Sequence, residues 1–158
     1  MKYLFFFLTT TAFAANAQQF TTISPDGNIR LTSGVTANGN LTYAVNYKTH
    51  TVILPSTLGI KLKEPAVNLN QFKLVKMDSS SYDQTWNTVW GEYSAIRDNH
   101  KEIRLNLEDK NGSGILMNVV FRVFNEGVGF RYEFPQQNNL LHFVVDNENT
   151  QFHLSGDH

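Results

Sequence analysis

The sequence predicts an all-β fold, an antiparallel β-sandwich built as one domain. Three observations carry this. From residue 20 to residue 158 the chain is a series of short runs of alternating apolar and polar residues separated by turn residues, which is the pattern of half-buried strands. No helix of useful length is legible in that range. About ten such runs in one domain-sized chain need two packed antiparallel sheets to bury their apolar faces.

The chain has 158 residues and opens on a targeting segment. Lys2 gives a positive start, residues 3–8 form an apolar run, and residues 9–14 are a small, largely apolar continuation. Ala15-Asn16-Ala17 has the small-x-small form that a signal peptidase accepts, so residues 1–17 are expected to be a signal peptide cleaved before Gln18. The apolar run is shorter than the ~20 residues that cross a bilayer, and no later stretch is long enough. Export without a membrane span is therefore expected, and residues 18–158 suffice for one domain with a real core.

Along that domain, Ser24-Pro25-Asp26-Gly27 reads as a turn into a strand over residues 28–33. Ala37-Asn38-Gly39-Asn40 reads as a hairpin turn, because Asn and Gly tolerate positive φ. Leu41, Tyr43, Val45 and Tyr47 alternate with Thr42, Ala44 and Asn46, a strand of period two. A run over residues 51–54 is expected to end at Pro55, and another covers 58–62 before Glu64-Pro65. Residues 72–81 are ambiguous, with Asp78-Ser79-Ser80-Ser81 reading as a solvated loop. Strands are expected over 85–93, 102–107, 115–124, 128–134, 141–145 and 151–154. Asp109-Lys110-Asn111-Gly112-Ser113-Gly114 is a turn-rich link between two of them.

Composition excludes several kinds of chemistry. Cysteine is absent, so neither disulfides nor thiolate nucleophiles are available. The formal net charge is −1, from 13 basic and 14 acidic residues well mixed along the chain. That balance gives no electrostatic footprint for nucleic acid and no polybasic membrane patch.

The most informative segment is Phe121-Arg122-Val123-Phe124-Asn125-Glu126-Gly127-Val128-Gly129-Phe130-Arg131-Tyr132-Glu133-Phe134-Pro135. With Glu126 and Gly127 as a two-residue loop, Val123 faces Phe130 and Phe121 faces Tyr132. One face then gathers Val119, Phe121, Val123, Phe130, Tyr132 and Phe134. The other gathers Val120, Arg122, Phe124, Arg131 and Glu133, with the two arginines opposite each other. A one-residue slip would mix Arg131 with the apolar set.

This hairpin, taken with other landmarks, resembles the N-terminal domain of glycoside hydrolase family 97. The landmarks are Ser24-Pro25-Asp26-Gly27, Pro55-Ser56-Thr57-Leu58-Gly59, Trp86 with Val89-Trp90-Gly91-Glu92, and Ile96-Arg97. Pro135-Gln136-Gln137, Phe152 and Gly156-Asp157-His158 close the series, in the family's order. The resemblance implies a β-super-sandwich of galactose-mutarotase-like type, incomplete at its C-terminal end, which packs on a catalytic (β/α)8 barrel. It implies α-glucosides cleaved with inversion or α-galactosides with retention, a calcium requirement in full-length inverting members, and a periplasmic location ahead of an extracellular one. Residues 18–158 are expected to be a partial N-terminal domain, because the chain stops at His158 before any barrel strand. No catalytic or calcium-binding residue of the family carries over, so a non-catalytic accessory module is expected, in contact with an α-linked oligosaccharide and with the barrel. A free-standing sugar-binding or structural sandwich is the alternative.

Read from their neighbours, the candidate acids are Glu92, Glu102, Glu126, Glu133 and Glu148, since glycoside hydrolysis needs two carboxyl groups at a controlled separation. Glu126 falls at a hairpin tip and Glu102 and Glu148 among polar neighbours, whereas Glu92 and Glu133 are flanked by aromatics. A structural ion pair with Arg97, Arg122 or Arg131 is the favoured role for both of these. Trp86 and Trp90 share a face if residues 85–93 are extended, and would serve core or domain-interface packing ahead of sugar stacking. With Glu92 they are the candidate contact residues. Arg122, Arg131 and Glu133 are the candidate structural ion pairs. The histidines at 50, 100, 142, 153 and 158 have no metal-site spacing, and Ser79-Ser80-Ser81 lacks a nucleophile elbow.

Overall fold

A computed structural model describes residues 17–156; most of the expected signal peptide, through residue 16, and the terminal Asp157 and His158 lie outside the described residues. Strands β1 (Gln18–Ile23), β2 (Ile29–Val35), β3 (Leu41–Tyr47) and β4 (His50–Thr57) form one sheet in sequence order. Strands β5 (Ile60–Glu64) and β6 (Val67–Leu69) form a small sheet with β11 (Val144–Glu148), in the order β11-β5-β6. The second large sheet runs β10-β9-β8-β7, from β7 (Phe72–Asn87), β8 (Ala95–Asp109), β9 (Leu116–Val123) and β10 (Val128–Glu133). Every pairing among these strands is antiparallel. The sandwich thus has a third, minor sheet beyond the two expected.

Period-two alternation decides which side chains enter the core. On β8, Ile103, Leu105 and Leu107 point inward, and on β9 so do Met117, Val119, Phe121 and Val123. They meet Leu31, Leu41 and Tyr43 of the first sheet, and Leu62 and Leu69 of the small sheet, in one cluster. Each fully buried aliphatic or aromatic side chain of this kind contributes about 1.5–3 kcal/mol. Tyr43 sits 6.0 Å from Phe121 and 5.9 Å from Phe130. Burial, with the nearby Tyr132 adding to it, pushes the Tyr43 phenol up to about 12, and its hydroxyl donates to the Gln151 carbonyl at 2.8 Å.

The turns follow their residues. Ser24 Oγ accepts from the Ile29 amide and the Gly27 amide donates to the Ser24 carbonyl, which closes the first turn. Gly39 has φ +96, and a Cβ there would lie 3.1 Å from the Phe72 carbonyl oxygen, so the hairpin between β2 and β3 needs glycine on both counts. The Asp26 amide donates to Asn125 Oδ1, tying this end of the first sheet to the β9–β10 turn.

Several expectations change. β4 does not stop at Pro55 but continues to Thr57, with register shifts against β3; proline is tolerated because β4 is an edge strand. Residues 141–143 are not strand, and β11 begins at Val144. Residues 151–155 form no regular strand; they run along the outer edge of β4, with Gln151, His153 and Ser155 bonded to Thr57, Leu54 and Val52. The β9–β10 hairpin is shifted by two residues: Val123 faces Val128, Phe121 faces Phe130 and Tyr132 faces Val119. Phe124 and Asn125 therefore join Glu126 and Gly127 in a four-residue loop closed by the Phe124 amide on the Gly127 carbonyl. A shift of two preserves both faces, so the alternation that defines inside and outside cannot distinguish the two registers.

Candidate functional site

The feature that sets this sandwich apart is the length of the β7–β8 hairpin. Its strands pair from Phe72 opposite Asp109 to Asn87 opposite Ala95, with one irregularity between Leu74 and Lys76. Its base lies on the core, where Phe72 and Leu107 are buried. Beyond it, every residue from 79 to 97 except Thr88 is exposed, so the outer half projects as an arm. The expected loop at Asp78-Ser79-Ser80-Ser81 is in fact strand, opposite Arg104, Ile103, Glu102 and Lys101. Backbone pairing along β8 overrides the weak local propensity of three serines.

At the tip, Trp86 lies opposite Ile96 and is 54% exposed, and Trp90 is 89% exposed. The strand expected over residues 85–93 ends at Asn87, and Trp90 and Glu92 fall in the loop that joins β7 to β8. The two indoles therefore do not share a strand face. The Thr88 hydroxyl and amide donate to the Tyr93 and Ser94 carbonyls, closing the loop. Val89, Tyr93 and Ile96 add further exposed apolar surface to the same tip.

Polar contacts stiffen the arm below the tip. Arg97 donates twice to Asp83, at 2.7 Å each, and this hydrogen-bonded guanidinium holds the Asp83 carboxyl below its usual range. Nearer the body, His100 is buried, with Tyr82 stacked on it at 5.2 Å and Phe124 at 5.0 Å. Its Nδ1 lies 2.5 Å from Asp98 Oδ1. This aromatic row crosses three elements and anchors the arm to the β9–β10 turn.

The outer face of the second sheet carries the charged residues. Arg131 lies opposite Val120 and Arg122 opposite Gly129, so the two guanidiniums are not opposed as the two-residue loop implied. Each has its own carboxylate: Arg122 donates to Glu102 at 2.9 Å, and Arg131 to Glu133 at 2.7 Å. Glu133 also receives Arg104. The Arg104 hydrogen bond first, and Arg131 after it, hold the Glu133 carboxyl below its usual range against the opposing effect of burial. Arg104 went unselected in the sequence, although the alternation of residues 102–107 already places it beside Glu102 on the polar face.

Glu102 and Glu133 are held by arginines, Glu126 is exposed at a turn, Glu92 is exposed at the tip, and Glu148 accepts from Thr150. Among the described residues no group of three or more His, Asp or Glu is placed to hold a metal ion. No described helix is long and apolar enough to cross a membrane.

Comparison with known proteins places this geometry. A retaining alpha-galactosidase of Bacteroides thetaiotaomicron is 27% identical over 135 residues, which is 84% of this chain and 19% of that protein. A family 97 glycoside hydrolase from Pseudoalteromonas sp. strain K8, solved in complex with panose and with acarbose, superposes with a TM-score of 0.78 at 34% identity. The match covers 86% of this chain and 20% of that one. A beta-arabinopyranosidase superposes with a TM-score of 0.77 at 25% identity, over 87% of this chain and 21% of that one. The chain thus spans about one fifth of the length of these relatives. Residues 23–158 match the family described as Glycosyl-hydrolase 97 N-terminal, and the chain belongs to that family.

Proposed function

We propose that this chain is the non-catalytic N-terminal accessory module of an exported, periplasmic family 97 glycoside hydrolase that cleaves α-glucosides or α-galactosides. The observation that carries the reading is the match to the N-terminal family over residues 23–158 in a chain whose own acids are paired or exposed. On this reading the acid and base, and any calcium ion, belong to a (β/α)8 barrel. The arm tip packs on that barrel, with Trp86 and Trp90 as its apolar contacts and Glu92 at the rim. The test is to assay the mature chain with chromogenic α-glucoside and α-galactoside, with and without calcium. No turnover above buffer is expected, and calcium-dependent hydrolysis by this chain alone would overturn the reading.

The exposed indoles also fit a second reading, a free-standing sugar-binding sandwich, since aromatic faces stack on sugar rings. Titration with panose separates the two. Saturable quenching of tryptophan emission that Trp90→Ala abolishes favours the sugar-binding protein, whereas an unchanged spectrum favours the accessory module, whose own contact with the oligosaccharide is weak or indirect.

A further inference from the structure

Two Asn-Gly pairs lie in turns of this chain, Asn38-Gly39 between β2 and β3 and Asn111-Gly112 between β8 and β9. Both glycines have positive φ, +96 at Gly39 and +94 at Gly112, so turn geometry accounts for the residue type at each. Their surroundings differ. Gly39 is buried, its amide donates to the Thr36 carbonyl at 2.8 Å, and its carbonyl accepts from the Phe72 amide at 2.7 Å. The Lys110 side chain lies against Gly39 and donates to the Asn38 carbonyl at 3.3 Å. Asn111 and Gly112, by contrast, are both exposed, and a Cβ at 112 would meet nothing within 4 Å. The Gly112 amide has no acceptor among the described residues. Asn111 Nδ2 reaches Asp109 Oδ1 only at 3.4 Å, beyond the usual hydrogen-bond range.

We propose that Asn111 is a site of spontaneous modification, at which the Asn111-Gly112 turn deamidates to aspartyl and isoaspartyl forms while packing protects Asn38-Gly39. Asparagine is a thermolabile side chain, and a following glycine offers its main-chain nitrogen without a Cβ beside it. The Gly112 nitrogen gives up its proton and bonds to Asn111 Cγ. The bond from Cγ to Nδ2 breaks, and Nδ2 leaves as ammonia carrying that proton, so that a cyclic imide remains. Water then opens the ring. Cleavage between Cγ and the ring nitrogen yields aspartate. Cleavage between the main-chain carbonyl carbon and that nitrogen yields isoaspartate, with an extra methylene in the main chain. Water is the co-reactant and ammonia the product, and no electrons are transferred.

The state of the attacking nitrogen decides which turn reacts. At Gly39 that nitrogen is engaged with Thr36, and ring closure would have to move backbone wedged between Phe72 and Lys110, so reaction there waits on local opening. At Gly112 neither restraint operates. Either product also places a carboxylate two residues from the buried Asp109, whose Oδ2 already accepts from the Ser113 amide and hydroxyl. The turn between β8 and β9 therefore gains charge as the protein ages. This holds whether the chain serves as an accessory module or as a free-standing sandwich.

The test follows both turns in one sample. The purified chain is incubated at mildly alkaline pH, once folded and once in urea, and digested at intervals for peptide mapping by mass spectrometry. In the folded chain Asn111 is expected to convert about tenfold or more faster than Asn38, because the closed turn must open first. In urea the two rates should converge, since the reacting pair is the same. Equal conversion at the two sites of the folded chain overturns the proposal. A preference for Asn111 that is undiminished in urea also overturns it, because neighbouring sequence and not packing would then set the rate.

Discussion

The body of the sandwich and the β7–β8 arm are made of the same kind of strand but are stabilised in different ways. In the body, β8 and β9 present alternate residues to a shared apolar cluster, and Leu105, Val119 and Phe121 are fully buried. In the arm, the same β8 strand continues its pairing with β7, yet both faces meet water and the contacts are ion pairs and stacked rings. Regular pairing by itself therefore does not distinguish a core strand from a docking element. What separates them is whether a second sheet covers the strand closely enough to bury one face, and over residues 79–97 none does.

Substitutions that strike the body should break this contrast hardest. Phe121→Ala removes a ring in contact with Tyr43 and Phe130, and should cost about 3–5 kcal/mol in a urea titration. A loss under about 1 kcal/mol would mean that the cluster is loosely packed.

The charged outer face should give an intermediate effect. Glu133→Gln leaves Arg104 and Arg131 without their shared carboxylate, but these groups are partly exposed and solvent screens them, so about 1 kcal/mol is expected. The effect has a pH signature. Because the folded Glu133 carboxyl is held below its usual range, its contribution is complete above the ordinary value of about 4.3 and disappears as pH falls through the depressed one. The gap between the parent chain and Glu133→Gln should therefore close on acidification from about pH 5 downward. A gap that is constant with pH would show that the loss is one of packing.

The smallest effects on this chain belong to the arm. Trp90→Ser should shift the urea midpoint by no more than about 0.5 kcal/mol, since the indole touches water on almost every side. The same change should lower concentration-dependent association of the chain on size exclusion, because it removes part of an exposed apolar patch. A large loss of stability would mean that the tip folds back onto the body. Asp83→Asn should leave the global midpoint unchanged and speed amide exchange in the arm alone, and a global loss would deny the arm its independence.

Much of this protein was legible from sequence because alternation and turn chemistry are local. The apolar positions 103, 105 and 107, and 119, 121 and 123, are specified by period two, and the turns at Ser24 and Gly39 by residues that close their own hydrogen bonds or accept positive φ. The ordered landmarks from Ser24 to Gly156 also sufficed to indicate the family. Only the tertiary structure decided the rest. The β9–β10 register depends on how Phe130 fits beside Phe121 and Tyr43, because a shift of two leaves every side chain on its own face. Likewise, the serines at 79–81 are strand because β8 stands beside them with free hydrogen-bonding groups, a partner distant in sequence that no local propensity reveals.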